Sequence, residues 1–163
     1  MIPEDVKSNP VVSALLERLP DAVLDAKIAL GELSIIIAPE QIVAVCRHLK
    51  DDQKFVRLSS VTCVDWLPRE PRFEIVYHMH SLERNLWLRL KCPLSGENPE
   101  IESVYSVWRG CDWYEREVFD LFGVVFRNHP NLKRLMMPDD WKGHPLRKDF
   151  PVHGYKYSYA EEQ

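Results

Sequence analysis

The sequence predicts an α+β fold, a mostly antiparallel β-sheet packed by helices, with an extended irregular C-terminal arm. Three observations predict it. Apolar residues recur at helical spacing in the N-terminal third and again beyond residue 100, and between them lie segments that alternate with a period of two. From residue 127 onward neither period survives, and prolines at 130, 138, 145 and 151 preclude a long helix or a central strand. The chain therefore divides into a body, residues 1–126, and an arm, residues 127–163.

Taken in order, Asn9-Pro10 reads as an N-cap with proline at the first helical position, followed by Val12, Leu15, Leu16 and Leu19 on one face. Residues 22–37 form a β-hairpin turning near Gly31. Pro39 opens a second helix with Ile42, Val45, Cys46 and Leu49 inward and Arg47, His48 and Lys50 near its C-terminus, where the helix dipole favours cations. Strands follow at roughly 55–66, 72–80 and 86–92. In the middle one Phe73, Ile75, Tyr77 and Met79 alternate with polar neighbours, as expected for a sheet with one buried face. Residues 93–100 are a loop by composition. Val104, Val107, Trp108 and Cys111 restore helical spacing up to a break near Gly110. Asp112 with Glu115 resembles a capping box that starts a fresh helix, with Tyr114, Val118, Leu121 and Phe122 as its apolar face and Gly123 as its stop. The expected order is α-β-β-α-β-β-β-α-α.

Composition narrows the function classes. A length of 163 residues allows one domain with a sizeable core, and a net charge of −4 argues against the basic footprint that nucleic acid requires. No segment approaches the roughly 20 apolar residues of a membrane-spanning helix, and the acidic start Met1-Ile2-Pro3-Glu4-Asp5 is unlike a secretory signal. Any membrane association is expected to come through partners. Cys46, Cys63, Cys92 and Cys111 lack the paired spacing of a zinc or iron–sulfur site and read as free, buried thiols. His78 and His80 share one strand face without a carboxylate or cysteine pair to complete a metal site, so they read as packing or surface histidines.

The arm is unlike a solvated linker. It carries Leu132, Leu135, Met136, Met137, Trp141, Leu146, Phe150, Tyr155, Tyr157 and Tyr159, apolar anchors that would be an aggregation hazard if exposed. Side chains that fill pockets on another subunit are the economical solution. His129, His144 and His153 are expected to contribute interface hydrogen bonds. The charged run Glu115, Arg116, Glu117 and Asp120 leaves two readings open. It is either a solvated helix face, with an Arg116–Asp120 pair worth a few tenths of a kcal/mol, or a set of carboxylates that receive Lys or Arg from the arm or a partner.

The wording of two segments is distinctive. Glu115-Arg116-Glu117-Val118-Phe119-Asp120-Leu121-Phe122-Gly123, followed by His129-Pro130-Asn131-Leu132-Lys133-Arg134-Leu135-Met136, closely resembles the signature of the 30-kilodalton subunit family, the C subunit of complex I. The run Met137-Pro138-Asp139-Asp140-Trp141-Lys142-Gly143-His144-Pro145-Leu146-Arg147-Lys148-Asp149-Phe150-Pro151 resembles that family's C-terminal motif. The resemblance implies a cofactor-free structural subunit in the peripheral arm of a proton-translocating NADH:quinone oxidoreductase. NADH, FMN, iron–sulfur clusters and quinone would be handled by other subunits. The partners implied are the quinone-cavity subunit (the D subunit) and neighbouring iron–sulfur subunits. The place implied is the cytoplasmic side of the bacterial plasma membrane, or the inner face of an organelle.

Partner docking is then expected of Glu115, Arg116, Glu117 and Asp120 on the helix. In the arm it is expected of His129, Pro130, Lys133, Arg134, Trp141, Gly143, His144, Pro145, Leu146, Arg147, Lys148, Asp149 and Phe150. The motif does not separate complex I from membrane-bound hydrogenases, F420H2 dehydrogenases or the ferredoxin:plastoquinone oxidoreductase, which use similar subunits. A stand-alone enzyme is the remaining alternative. Glu115, Glu117, Asp120 and His129 would be its acid–base set, but no nucleophile, phosphate loop or pocket signature accompanies them. The complex is expected to be the enzyme, and this chain to hold no catalytic residue.

Overall fold

In the computed structural model, residues 2–151 are described. The N-terminal Glu4–Lys7 (α1) is a single turn, and Pro10–Arg18 (α2) begins as its sequence requires. The Asn9 side chain accepts from the Val11 N–H at 3.0 Å, and Pro10 occupies a position whose N–H has no helical partner anyway. Val23–Ala29 (β1) and Glu32–Ile37 (β2) form the expected hairpin. Its two turn residues, Leu30 and Gly31, both have positive φ, the geometry that matches strand twist across a two-residue loop. A 3-10 turn at Pro39–Gln41 leads into Ile42–Asp51 (α3), where Ile42, Val45, Cys46 and Leu49 are buried as the spacing predicts.

Arg57–Asp65 (β3), Phe73–Ser81 (β4) and Leu86–Leu94 (β5) complete a five-stranded sheet in the order β1-β2-β5-β4-β3. Only the β2–β5 pair of this sheet is parallel. The register sets Ile75 opposite Cys92, Tyr77 opposite Leu90 and Met79 opposite Leu88, so one face carries the core and the other is polar. On the polar face Lys91 pairs with Glu74 (2.8 Å), and Arg89 donates to His78 Nε2 and to Glu32. His78 also bonds Ser60, while His80 stacks on Trp87 at 4.2 Å, so both histidines serve cross-strand packing.

Two expectations fail. Residues 104–111 form no α-helix. Instead Glu100–Glu102 (β6), inside and just beyond the expected loop, pairs in parallel with Val125–Arg127 (β7), and a 3-10 turn spans Arg109–Cys111. Val104, Val107, Trp108 and Cys111 are all buried, so the apolar positions were legible but their period was not. Long-range bonds override the local preference: the Trp108 indole donates to the Val56 carbonyl, and Lys50 Nζ donates to the Val107 carbonyl. β5 also runs on through Pro93 to Leu94, past the expected boundary.

All four cysteines are free and buried. Burial, reinforced by the Asp65 charge, pushes the Cys63 thiol up to about 12. Ellman's reagent at pH 8 is therefore expected to label none of the four in the native chain and all four in urea, because the thiolate is the nucleophile. Rapid native labelling would contradict the buried placement.

Candidate docking site

Asp112–Phe122 (α4) carries the charged run. It starts directly from the 3-10 turn with no side-chain cap, so the expected capping box is absent. Glu115 turns inward instead: it is fully buried and accepts from Ser103 Oγ (2.5 Å) and the Val104 N–H (2.9 Å). Burial raises its carboxyl above the ordinary range. Arg116 and Asp120 are likewise buried, whereas Trp113 and Glu117 face outward. The expected apolar face is only partly so: Val118 is buried, but Tyr114, Leu121 and Phe122 are half-exposed. The helix thus turns charge, not just hydrocarbon, toward the rest of the chain.

That charge is met by the arm. Arg116 and Asp120 do not form the simple i,i+4 pair; each reaches residues 133–137. Arg116 donates through Nε to the Lys133 carbonyl and through Nη2 to the Arg134 carbonyl, both at 3.2 Å. Asp120 Oδ2 accepts three successive backbone N–H groups, from Leu135 (2.9 Å), Met136 (2.7 Å) and Met137 (2.8 Å). Its Oδ1 pairs with Arg134 Nη1 at 2.6 Å. Burial alone would raise the Asp120 carboxyl, but the Met137, Leu135 and Met136 amides and Arg134 outweigh it and hold it below the usual carboxylate range.

The C-terminus of α4 is the second anchor. A helix leaves its last four carbonyls without internal partners and its end partially negative. Here the arm supplies the donors. His144 Nδ1 bonds the Asp120 carbonyl (2.9 Å), the Leu146 N–H donates to that of Leu121 (3.1 Å), and Arg147 Nε donates to that of Phe122 (2.5 Å). Gly123, in the left-handed region at φ 73°, lets the arm approach. A Cβ there would lie 2.5 Å from the His144 ring and 2.6 Å from Arg147.

A third anchor joins the arm to the sheet. Asp65, at the end of β3, accepts from Arg72 Nε and Nη2 and from the Lys148 N–H. Arg72 extends its other edge to both oxygens of Asp149, at 2.9 and 2.7 Å. The guanidinium groups of Arg72 and Arg147 both lie over the Phe73 ring, 4.8 and 5.2 Å from its centre. Asp65 and Arg72 escaped the sequence reading. The available signal was an aspartate at an inward position of β3, in step with the buried Val61 and Cys63.

The remaining expected residues divide by exposure. His129 packs near Asp112 and Glu115 and accepts from the Asn131 N–H, and burial lowers its pKa. Arg134 also donates to the Trp141 and Gly143 carbonyls, which folds the intervening segment into a loop, and Trp141 stacks with Phe150. Glu117, Pro130, Lys133, Leu146 and Lys148 are exposed, and Pro145 is half-buried. His153, Tyr155, Tyr157 and Tyr159 lie outside the described residues.

The sequence and the fold of this chain are shared with known proteins. The profile described as "Respiratory-chain NADH dehydrogenase, 30 Kd subunit" matches residues 35–156. The chain belongs to this family. Its relatives in the family include the C subunit of the NADH-quinone oxidoreductase of Geotalea uraniireducens (strain Rf4), 43% identical over 91% of this chain and 90% of the relative. The protein of the same name from Roseiflexus castenholzii is 44% identical over 95% and 91%. Among solved structures, the family fold recurs in the trypsin-resistant fragment (1–134) of Nqo5, with TM-score 0.64 and 28% identity over 75% of this chain and 99% of that one. It recurs also in a chain of the membrane-bound sulfane sulfur reductase, an archaeal respiratory membrane complex, with TM-score 0.75 and 28% identity over 90% and 86%. Among the described residues no helix is long and apolar enough to cross a membrane.

Proposed function

We propose that this member of the 30-kilodalton subunit family is a cofactor-free scaffold of a proton-translocating NADH:quinone oxidoreductase, docked by its arm on the quinone-cavity subunit beside iron–sulfur subunits. NADH, FMN, the clusters and quinone would then be handled by those partners, with this chain held at the cytoplasmic side of the plasma membrane. The observation that carries the reading is the manner in which the arm is held. Residues 129–151 contain no helix or strand, yet polar anchors on α4 and β3 fix their path while Met136 and Leu146 remain exposed at 60% and 53%. An irregular segment so firmly positioned, with apolar side chains still facing solvent, suits a second protein surface. Of its four acid–base candidates, Glu115 and Asp120 have no exposed surface with which to meet a substrate.

Deletion of residues 127–163 from the tagged chain tests this in its own host. Loss of the neighbouring subunits from the purified complex is expected, with the cofactor content of any assembled particle unchanged. Full recovery of the partners would overturn the reading. Arg147→Ala is expected to lower the yield of complex more than it lowers the melting temperature of the isolated chain. Equal yield would contradict it. The likeness to the sulfane sulfur reductase chain supports a second reading, the same scaffold role in a related respiratory complex. A purified assembly lacking any NADH-oxidising module would favour that one.

A further inference from the structure

The arm occupies one end of the sheet, where β3 ends and β4 begins. At the opposite end the body carries a second apolar surface. A groove there is lined by Ile28, Leu33, Phe55, Arg84, Leu86 and Trp87. Ile28, Leu86 and Trp87 are 40–54% exposed. Leu30, at the tip of the β1–β2 hairpin, is fully exposed, and Leu82 in the β4–β5 turn is also exposed. Leu30 holds a φ of 52°, a conformation that asparagine, aspartate or glycine would adopt with less strain, so no local backbone need explains an apolar side chain there. The nine residues of β4 separate this end from the arm by roughly 26 Å at about 3.3 Å per residue, so the two are distinct surfaces at opposite ends of the sheet.

Charge identifies the occupant. Of the two charged residues lining the groove, Glu32 is already paired with Arg89 at 2.5 Å. The Arg84 side chain is half-buried, donates through Nη1 to the Gln53 side-chain oxygen (2.9 Å) and backbone carbonyl (3.4 Å), and has no carboxylate partner among the described residues. A guanidinium beside an apolar groove fits a carboxylate flanked by apolar anchors. Resting on the reading of this chain as a subunit of a larger complex, we propose that this end of the sheet is a second docking surface. Its occupant is an amphipathic segment of a neighbouring subunit, different from the one the arm holds, that seats an apolar side chain in the groove and a carboxylate on Arg84.

Photo-crosslinking in the assembled complex tests it, with a photoreactive amino acid in place of Leu30 or, separately, of Leu146. Position 30 is expected to capture one subunit and position 146 another, and Arg84→Glu to reduce the position-30 product at least tenfold while Arg84→Lys retains most of it. The isolated Arg84→Glu chain should still fold, its melting temperature falling by no more than about 4 °C, since within the chain it gives up only the Gln53 contacts. Capture of a second copy of this chain from position 30, capture of the same subunit from both positions, or no product from position 30 overturns the proposal. Failure at position 146 alone counts against the arm reading instead and leaves this one standing. Hydrogen exchange on the unsubstituted protein gives an independent check: amides of residues 28–33 and 82–87 should be slower in the complex than in the free chain, and equal rates would overturn it.

Discussion

Asp120→Ala is expected to free the arm from the body. The substitution strands three N–H donors and takes from the Arg134 guanidinium its buried carboxylate partner, leaving it only carbonyl acceptors. Removing one member of a buried ion pair costs about 3–5 kcal/mol, because its partner is left uncompensated. The loss falls on the segment that Asp120 holds, so it appears first as local opening of residues 133–147 and only then as a lower global melting temperature. Trypsin cleavage after Lys133 and Arg134 should accelerate by about two orders of magnitude or more, since cleavage of a transiently open segment follows its population. Unchanged cleavage would show that Asp120 does not hold the arm.

Acid should reproduce part of this effect. Asp120 has a folded-state pKa below its unfolded one, so its contribution is fully present above the unfolded value, about 4, and is lost as pH falls through the folded value. Asp65 is depressed too, by Arg72 and the Lys148 and Leu67 amides acting against burial, and Asp149 is depressed chiefly by Arg72. Glu115 works in the other sense: burial raises its pKa, so its contribution is greatest below the unfolded value and declines as pH rises through the folded one. Arm release in wild type is therefore expected below about pH 4, and Asp120→Asn should flatten that dependence. A melting curve whose acid limb is identical in the two proteins would contradict the assignment.

Gly123→Val carries the second large effect, through geometry. Valine at φ 73° costs about 1–3 kcal/mol in backbone strain. Its Cβ would also need the space held by His144 and Arg147, within 2.6 Å. The side chains that cap α4 would be displaced, leaving its last carbonyls without donors, while the Asp120 anchor upstream stays intact. Hydrogen exchange should accelerate at the Leu146 amide, which bonds the Leu121 carbonyl, and the yield of assembled complex should fall severalfold. Amides of 135–137 should keep their protection. If Leu146 kept its protection as well, the close approach at Gly123 would not be what positions the arm.

The elements legible in the sequence are those whose periodicity serves a local purpose. Asn9-Pro10 started a helix, Ile42 to Leu49 formed one buried face, and Phe73 to Met79 lined the sheet interior, because in each case the apolar pattern and the backbone geometry share a period. Val104 to Cys111 misled because four buried apolar residues spaced like a helix face can equally be buried from an irregular backbone, once distant groups such as Val56 and Glu115 satisfy its polar atoms. Glu115 misled for a related reason. A carboxylate three residues after an aspartate looks like a cap, and only the fold brings Ser103 to it.

The arm divides along the same line. By itself the sequence determined that residues after 126 are too apolar to be a free linker and too rich in proline for regular structure, since both follow from composition and from the fixed φ of proline. It also pointed to the charged residues of α4 and the arm as docking positions, several of which bond to one another within the chain. Which of them meet was decided only by tertiary structure. Arg116 turned from Asp120 to two carbonyls, Asp120 from a neighbour on its own helix to a cluster of amides in the arm, and Asp149 to an arginine far back in the chain. Hydrogen bonds are short-ranged and directional, so they record who is adjacent in space, and for a tail folded back across a helix end that adjacency has no period along the chain.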